Sequence, residues 1–507
     1  MPRNKYSPRR ILPEHAVEQT AALPERTWNR TKLLQFLQKW IYCIIILLAL
    51  SIRFWKIEYI PFANDADELA YIWAGQSLIE FGTPISWSSF QHTDTQWHWT
   101  EIPSDTVQDS KVPIAKFVRP WFDHSFILPL LMGGWSELLG YHFPSIPPAL
   151  WYRLPFLLIS GVNLLLIYQI ARKVFGQWPA IFALSLVSFS PLFIFAGRMV
   201  VSENLMTTFI LLSIYLFLTE QPLWSVLLAT ALGGIVKLPA LCIAPVIGVS
   251  LFADKKYRQA VVYLLGVVAL VVVTYGVYGA SIDWPAFTAA MRDQSSRLLG
   301  WSNPAFIFSQ PGFHTKASLD FSYYVVLFLG LGIFLVPSTK QVKILAGATL
   351  ATWLTIWVTS AELDMLGWYK LPLFSLLAVN TASVFSLGKT PDDKQTLPLY
   401  PVLTTVTLLL FVTIVNNFGI IRFPEQPLPE AQLLRLVVAG ILVLGLWLLN
   451  WKVPRKIVIA GCVTGLVVYA LQAVYIANLY FAASCKDRTC PTPTVTLSQT
   501  VRTLLER

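Results

Sequence analysis

The chain has 507 residues, of which 55% are hydrophobic and only 13% are charged. Soluble domains carry about 25% charged residues, so this composition excludes an ordinary soluble enzyme and predicts an integral membrane protein. The formal charge is +10, but the lysines and arginines stand in short clusters between hydrophobic runs. Such clusters set the orientation of membrane spans and are not arranged to grip a nucleic acid. We therefore expect no nucleic-acid partner.

The first 36 residues form a basic tail. No small-residue cleavage site follows a short apolar core there, so the tail is interpreted as a retained cytoplasmic segment and not as a removed secretory signal. The first predicted span follows at residues 37–54.

Windows of about 20 apolar residues predict about 13 spans and an all-α polytopic fold. After the first span they lie near 151–171, 178–197, 202–219, 223–236, 238–252, 259–280, 320–337, 343–360, 371–387, 398–420, 432–450 and 457–480. The short loops on the N-terminal side carry the lysine and arginine clusters, as the positive-inside rule requires. The N-terminus is therefore predicted in the cytoplasm and the C-terminus outside, because the number of spans is odd.

The last part of the chain, at 388–480, is predicted as C-terminal transmembrane helices, followed by an extracytoplasmic tail at 481–507. This tail contains Cys485 and Cys490. A disulfide between them is predicted, since an oxidising compartment lets disulfides persist.

Two predicted outer loops are long, at about 55–150 and 281–319. Within the first, the segments Asp67–Phe81 and Phe126–Leu139 are apolar but too short to cross a bilayer, so they are predicted as interfacial helices. Aromatic and acidic residues alternate between the two segments. That mixture is common in carbohydrate-binding clefts and also in the belts of aromatic residues at membrane–water interfaces. The belt is the favoured interpretation.

Three carboxylates, Asp65, Asp67 and Glu68, stand at the start of the first interfacial segment. Asp65 as N-cap with Glu68 three residues later matches a capping box, which explains two of the three acids structurally. Asp67 is left over. A carboxylate in the first turn is held ionised by the helix dipole and is able to take a proton from an incoming hydroxyl or to stabilise developing positive charge, so Asp67 is the candidate functional acid.

Four cations fall at the predicted outer ends of spans, against the usual charge bias: Arg153, Arg198, Lys237 and Lys370. Glu203 lies near Arg198 at the top of a span. Each cation alone is explained by snorkelling to headgroups or by pairing with a loop acid. The four together predict an anionic ligand, and a lipid phosphate in the outer leaflet fits their chemistry.

The order of these motifs resembles that of the GT-C glycosyltransferases. The likeness is closest to the branch with protein O-mannosyltransferases and the lipid A aminoarabinose transferase, and it covers about residues 37–387. The motifs are Asp67-Glu68-x-x-Tyr71, Phe122-Asp123-His124, Arg153-Leu154-Pro155, Arg198 with Glu203, Lys237-Leu238-Pro239 and Gly367-Trp368-Tyr369-Lys370-Leu371-Pro372. Two departures are His124-Ser125-Phe126 in place of His-Pro-Pro, and Lys370 where an arginine is frequent.

The resemblance implies an inverting transfer of one sugar from a polyprenyl-phosphate donor to a hydroxyl acceptor at the outer face of the plasma (inner) membrane. By resemblance, the catalytic acids are Asp67, Glu68 and Glu203. Substrate binding is assigned to Tyr71, Asp123, His124, Arg153, Arg198, Lys237, Tyr369 and Lys370. The acceptor is a lipid, a glycan or a protein hydroxyl.

No cofactor is expected, because a monophosphate leaving group paired with fixed cations needs no metal. A diphosphate donor usually recruits a divalent ion, for which the three acids are the alternative ligands. A ligase with such a donor and a flippase of lipid-linked sugars are the rival functions. Transporters place polar residues near the bilayer midplane and show repeated halves, whereas the charges here gather at one face.

Overall fold

A computed structural model describes residues 30–58, 66–88, 98–101, 116–296, 322–336, 339–360 and 367–386. The chain divides into two units, 1–41 and 42–507, and helix α1 (Arg30–Phe54) begins in the first and ends in the second. Several predictions lie outside the described residues: the tail before residue 30, Asp65, the three C-terminal spans, and Cys485 with Cys490.

The second unit is a helical assembly with one small hairpin. Its further helices are α2 (Ala66–Phe81), α3 (Ile127–Leu138), α4 (Ala149–Phe175), α5 (Gln177–Ser188), α6 (Pro191–Ala196), α7 (Ser202–Leu218), α8 (Leu223–Val236), α9 (Ile243–Ala253), α10 (Tyr257–Ile282), α11 (Trp284–Ser295), α12 (Ser322–Leu331), α13 (Lys340–Thr359) and α14 (Leu371–Thr381). Short 3-10 segments lie at Leu238–Cys242, Gly332–Leu335, Gly367–Lys370 and Ala382–Ser386. Strands β1 (His98–Glu101) and β2 (Lys116–Arg119) pair antiparallel, with His98 opposite Arg119.

The predicted spans up to residue 387 coincide with described helical segments. Three of the described helices, α4, α10 and α13, are long and apolar enough to cross a bilayer. Helix α10 has an exposed apolar surface of the kind that faces lipid. Its Leu265, Val272 and Val277 are all more than half exposed. The protein is an integral membrane protein, and the total of about 13 spans stays a prediction.

The predicted span at 178–197 is not one continuous helix. Helix α5 ends at Ser188 and α6 begins at Pro191. Proline has no backbone N–H and clashes with the preceding turn, so it begins a helix far more easily than it continues one. The break leads into the non-helical residues 197–201, which place Val200 against the start of α2 and Arg198 against the end of α1.

Helix α2 forms where predicted, its interfacial position stays a prediction, and its buried residues are not confined to one face. Its residues Leu69 to Ala74 are all buried, with Trp73 fully so. Helix α3 covers it closely through two glycines. A Cβ at Gly75 would lie 1.8 Å from Pro129 O, and a Cβ at Gly133 would lie 2.2 Å from Gly75 C. The two helices therefore form one packed pair.

The second predicted outer loop, 281–319, begins with a helix that the sequence analysis missed. Helix α11 starts behind Asp283, whose Oδ1 accepts a hydrogen bond from Ala286 N at 3.0 Å. Asp283 followed by Pro285 is a sequence-level helix start, because an Asp N-cap and an early proline favour the first turn.

The helix ends predicted outside meet on one side of the unit. They are the starts of α2 and α7 and the ends of α8 and α13, and all of them contribute residues to one cavity. At the opposite ends of the helices, Lys340 donates to Asp254, and both lie in loops predicted to be cytoplasmic. The helix ends predicted on the two sides of the membrane are thus separated in the structure, and the orientation itself stays a prediction.

Candidate active site

The cavity has a volume of about 760 Å³. Seven of the predicted site residues line it: Asp67, Tyr71, Asp123, His124, Glu203, Lys237 and Tyr369. They come from segments far apart in sequence, and all except Tyr71 lie in the first or last turn of a helix or in the segments between helices. A cavity of this size is typical of small-molecule sites.

Lys237 and Glu203 form an ion pair at the wall of the cavity. Lys237 ends α8, Glu203 lies in the first turn of α7, and the distance from Lys237 Nζ to Glu203 Oε1 is 2.5 Å. Ser202 Oγ donates to the other carboxylate oxygen at 3.2 Å. Lys237 Nζ also lies 4.6 Å from the centroid of the Tyr369 ring, a cation–π contact. The ammonium is held in place by these contacts, and Lys237 lines the cavity.

Asp67 and Tyr71 occupy successive turns of α2 on the cavity side. Asp67 is partly exposed, and Tyr71 is 3% exposed with its hydroxyl 3.5 Å from Ser202 Oγ. Burial raises the pKa of Tyr71 well above its usual range, and the nearby Glu203 and Asp67 carboxylates raise it further. Tyr71 is therefore a neutral donor, while Asp67 in the first helical turn is favoured as a carboxylate.

Asp123 and His124 form a polar shelf beside these groups. Ser88 Oγ donates to Asp123 Oδ2 at 2.6 Å, and Gln294 Nε2 donates to Asp123 O at 3.0 Å. The His124 ring lies 5.1 Å from the Tyr71 ring and 5.7 Å from the Trp121 ring, measured between centroids. A shelf of carboxylate, imidazole and aromatic faces is suited to a polyhydroxylated ligand.

Glu68 and Arg153 are not among the residues that line the cavity. Both side chains are fully buried, and they form a bidentate ion pair in which Arg153 Nε donates to Glu68 Oε1 at 2.9 Å. Arg153 Nη1 donates to Ile57 O at 2.7 Å, and Val200 N donates to Glu68 Oε1 at 2.9 Å. The carboxylate is thus bound across the fold. The pair fastens α2 to α4 and to the residues before α7.

Arg198 and Lys370 likewise lie outside the cavity lining. Arg198 is fully buried and donates to Ile52 O near the end of α1. Lys370 is 1% exposed, and its Nζ lies 5.3 Å from the centroid of the Tyr323 ring. Of the four cations at the predicted outer span ends, the cavity is lined by Lys237.

The sequence analysis missed one wall of the cavity. That wall is supplied by α10, α11 and the segment before α3, through Tyr275, Tyr278, Phe287, Gln294 and Trp121. Phe122 bridges these elements, with its ring 5.5 Å from that of Tyr278 and 5.4 Å from that of Phe287. No short motif identifies this wall, because its residues look like ordinary span-end aromatics until the helices pack.

The three predicted catalytic acids do not form a set of metal ligands. Glu68 binds Arg153, and Glu203 binds Lys237, so the two carboxylates face different cations. Within the described ranges, the group of three residues whose ligand atoms approach closely enough for a metal is elsewhere, at Glu80, Glu137 and His142.

Comparison with known proteins gives a fold and a family-model match over part of the chain. The sequence model of the family described as dolichyl-phosphate-mannose-protein mannosyltransferase matches residues 125–278. The curated proteins give no sequence match.

Solved structures give the fold. The crystal structure of ArnT from Cupriavidus metallidurans bound to undecaprenyl phosphate has a TM-score of 0.54 at 12% identity, covering 86% of this chain and 76% of that one. The archaeal oligosaccharyltransferase AglB from Archaeoglobus fulgidus, in complex with an inhibitory peptide and a dolichol-phosphate, has a TM-score of 0.43 at 11% identity, with coverages of 91% and 61%, and at that score it adds no argument. The chain has the fold of the GT-C membrane glycosyltransferases and resembles their O-mannosyltransferase and ArnT branch.

Proposed function

We propose that this protein is an inverting glycosyltransferase that moves one sugar from a polyprenyl-phosphate donor to a hydroxyl acceptor on the extracytoplasmic side of the plasma (inner) membrane. The observation that carries the proposal is the common cavity of Asp67, Glu203 and Lys237 at helix ends predicted to lie outside. The family match and the undecaprenyl phosphate bound to ArnT support this donor class.

The reaction is a single displacement at the anomeric carbon. The acceptor oxygen forms the new bond, the bond from the anomeric carbon to the phosphate oxygen breaks, and its electron pair leaves with the polyprenyl phosphate. The acceptor proton goes to Asp67, whose position in the first turn of α2 keeps it ionised beforehand. General-base action of this kind contributes about 10²–10⁴ in rate.

Lys237 stabilises the departing phosphate. Its pairing with Glu203 and its contact with Tyr369 fix the ammonium before the donor arrives, so little reorganisation is needed when negative charge develops. In this proposal Asp123, His124 and Tyr71 bind sugar hydroxyls on the shelf beside the base. Glu203 positions Lys237, and the buried Glu68–Arg153 pair positions the turn that carries Asp67.

Arg198 and Lys370 act more remotely than the sequence analysis expected. Both are buried behind the cavity lining, so their proposed part is to orient the segments that precede α7 and α14. The identity of the sugar and of the acceptor is set by contacts on the shelf and on the aromatic wall.

The test is release of polyprenyl phosphate from a panel of synthetic polyprenyl-phosphate sugars by the protein reconstituted in lipid, with membrane extract as acceptor. Wild type should release the lipid phosphate and form a product with inverted anomeric configuration. Asp67→Asn should lose about 10²–10⁴ of that rate. Asp254→Asn, an acid paired with Lys340 at the opposite helix ends, is the matched control and should keep it.

Each rival function has its own result in the same assay. Release from diphosphate-linked donors alone would identify a ligase. Movement of the intact donor across the bilayer without release would identify a flippase. Equal rates in wild type and Asp67→Asn would exclude Asp67 as the base.

A further inference from the structure

A second cluster of chemically active side chains lies at the far end of the α2–α3 pair from Asp67. Glu80 is at the end of α2, Glu137 at the end of α3, and His142 in the turn after α3. His142 Nδ1 lies 2.6 Å from Glu137 Oε2 and 3.5 Å from Glu80 Oε1. One ligand atom from each residue lies within 4.8 Å of the other two.

The fold builds this cluster with buried support. Gln76, which is fully buried, places its Nε2 at 2.8 Å from Ser136 Oγ, 2.9 Å from Tyr141 O and 2.8 Å from Ser145 O. These contacts hold the turn that carries His142 against α2. Phe143 N also donates to Glu80 Oε1 at 2.9 Å, which orients that carboxylate. Supporting hydrogen bonds of this kind orient metal ligands in proteins.

The charges in the cluster call for a cation. Two carboxylates sit at the C-terminal ends of two packed helices, where the helix dipoles are also negative. Among the described residues, Glu137 Oε1 is a buried oxygen without a hydrogen-bond partner, although its side chain is 18% exposed. His142 is 68% exposed, so an ion reaches the cluster from solvent without any rearrangement of the fold.

We propose that Glu80, Glu137 and His142 bind one divalent transition-metal ion, with zinc as the best fit. Zinc takes carboxylate oxygen and imidazole nitrogen ligands, and bonds of about 2.1 Å in a tetrahedral site separate the ligand atoms by about 3.4 Å. The atoms here are 2.6 Å to 4.8 Å apart, so small side-chain rotations reach that geometry. A water completes the fourth position on the exposed side.

The proposed ion is structural. Asp67 and Glu80 are 13 residues apart on α2, which corresponds to about 20 Å along a helix. The ion therefore stands away from the proposed sugar-transfer chemistry. It ties the end of α2 to the end of α3 and to the following turn, and so it stiffens the helix pair that carries Asp67.

The test measures bound zinc and thermal stability of the tag-free, full-length protein. After chelation, removal of the chelator and addition of zinc chloride, wild type should retain one equivalent more zinc than His142→Ala or Glu137→Gln. Its Tm should rise by roughly 5 °C at zinc about 100-fold above its Kd. Glu220→Gln, an exposed glutamate after α7, is the charge-matched control and should behave as wild type.

Two results would overturn the proposal. One is equal zinc retention in wild type and both cluster variants. The other is a Tm that zinc does not change in wild type, which would leave His142 as a hydrogen-bonded partner of the two carboxylates. Chelated wild-type protein should keep its initial sugar-transfer rate at temperatures below its lowered Tm. The zinc measurements therefore test the metal site, and the transfer rate tests the proposed function independently.

Discussion

The ammonium of Lys237 and the carboxylate of Glu203 lie 2.5 Å apart at the cavity wall, although 34 residues separate them in sequence. The carboxylate side chain is 2% exposed and the lysine side chain 17%. The two partners therefore differ in role. The buried carboxylate of Glu203 needs the cation for stability, whereas the ammonium of Lys237 still faces the cavity.

Lys237→Met should therefore damage both folding and catalysis. Leaving a buried carboxylate unpaired costs about 3–5 kcal/mol of stability, and loss of the phosphate-stabilising donor should slow release by about 10²–10³. In the double variant Lys237→Met, Glu203→Gln, thermal stability should return while the release rate stays low. A double variant with recovered rate would show that Lys237 acts only through folding.

Arg153→Met should destabilise the protein by about 3–5 kcal/mol, because it strands the fully buried Glu68. Adding Glu68→Gln should recover much of that loss, since the unpaired charge is then gone. Thermal unfolding in detergent measures the stability of both variants. An Arg153→Met protein as stable as wild type would refute the prediction that the buried ion pair stabilises the fold.

Gly133→Ala should disrupt the α2–α3 pair. The Cβ of the new alanine would lie 2.2 Å from the backbone carbonyl carbon of Gly75, and a backbone atom cannot move aside as a flexible side chain does. Gly134→Ala is the matched control one residue along. The nearest atom to its Cβ is Ile79 Cδ1 at 4.0 Å, and alanine improves helix propensity by about 1 kcal/mol. The folded yield and the Tm should fall sharply for Gly133→Ala and should stay at the wild-type level for Gly134→Ala.

Asp123→Asn should weaken sugar binding more than turnover. A hydrogen bond to a charged group contributes about 1.5–3 kcal/mol, so the KM for the donor should rise by about 10-fold to 100-fold while kcat changes little. Ser88→Ala removes the 2.6 Å bond that orients the same carboxylate and should give a smaller rise in KM. A fall in kcat with unchanged KM would place Asp123 in the chemical step instead.

The membrane character, the positions of most described helices up to residue 387 and the order of the site motifs follow from the sequence alone, whereas α11 and the break between α5 and α6 do not. Hydropathy and charge bias are local properties, and a bilayer acts on each segment nearly independently, so windows of residues suffice to predict them. Asp67, Glu203 and Lys237 line the cavity, as their predicted positions on the outer side of the membrane allow.

Only the tertiary structure decided which of those charges face the cavity and which hold the fold together. Asp67 and Glu68 are adjacent in sequence, but a step of one residue rotates a side chain by about 100° around a helix. One acid therefore faces the cavity and the other is buried against Arg153, which is 85 residues away. Pairings over such separations depend on how α2, α4 and the residues before α7 pack. No local pattern of amino acids encodes that packing.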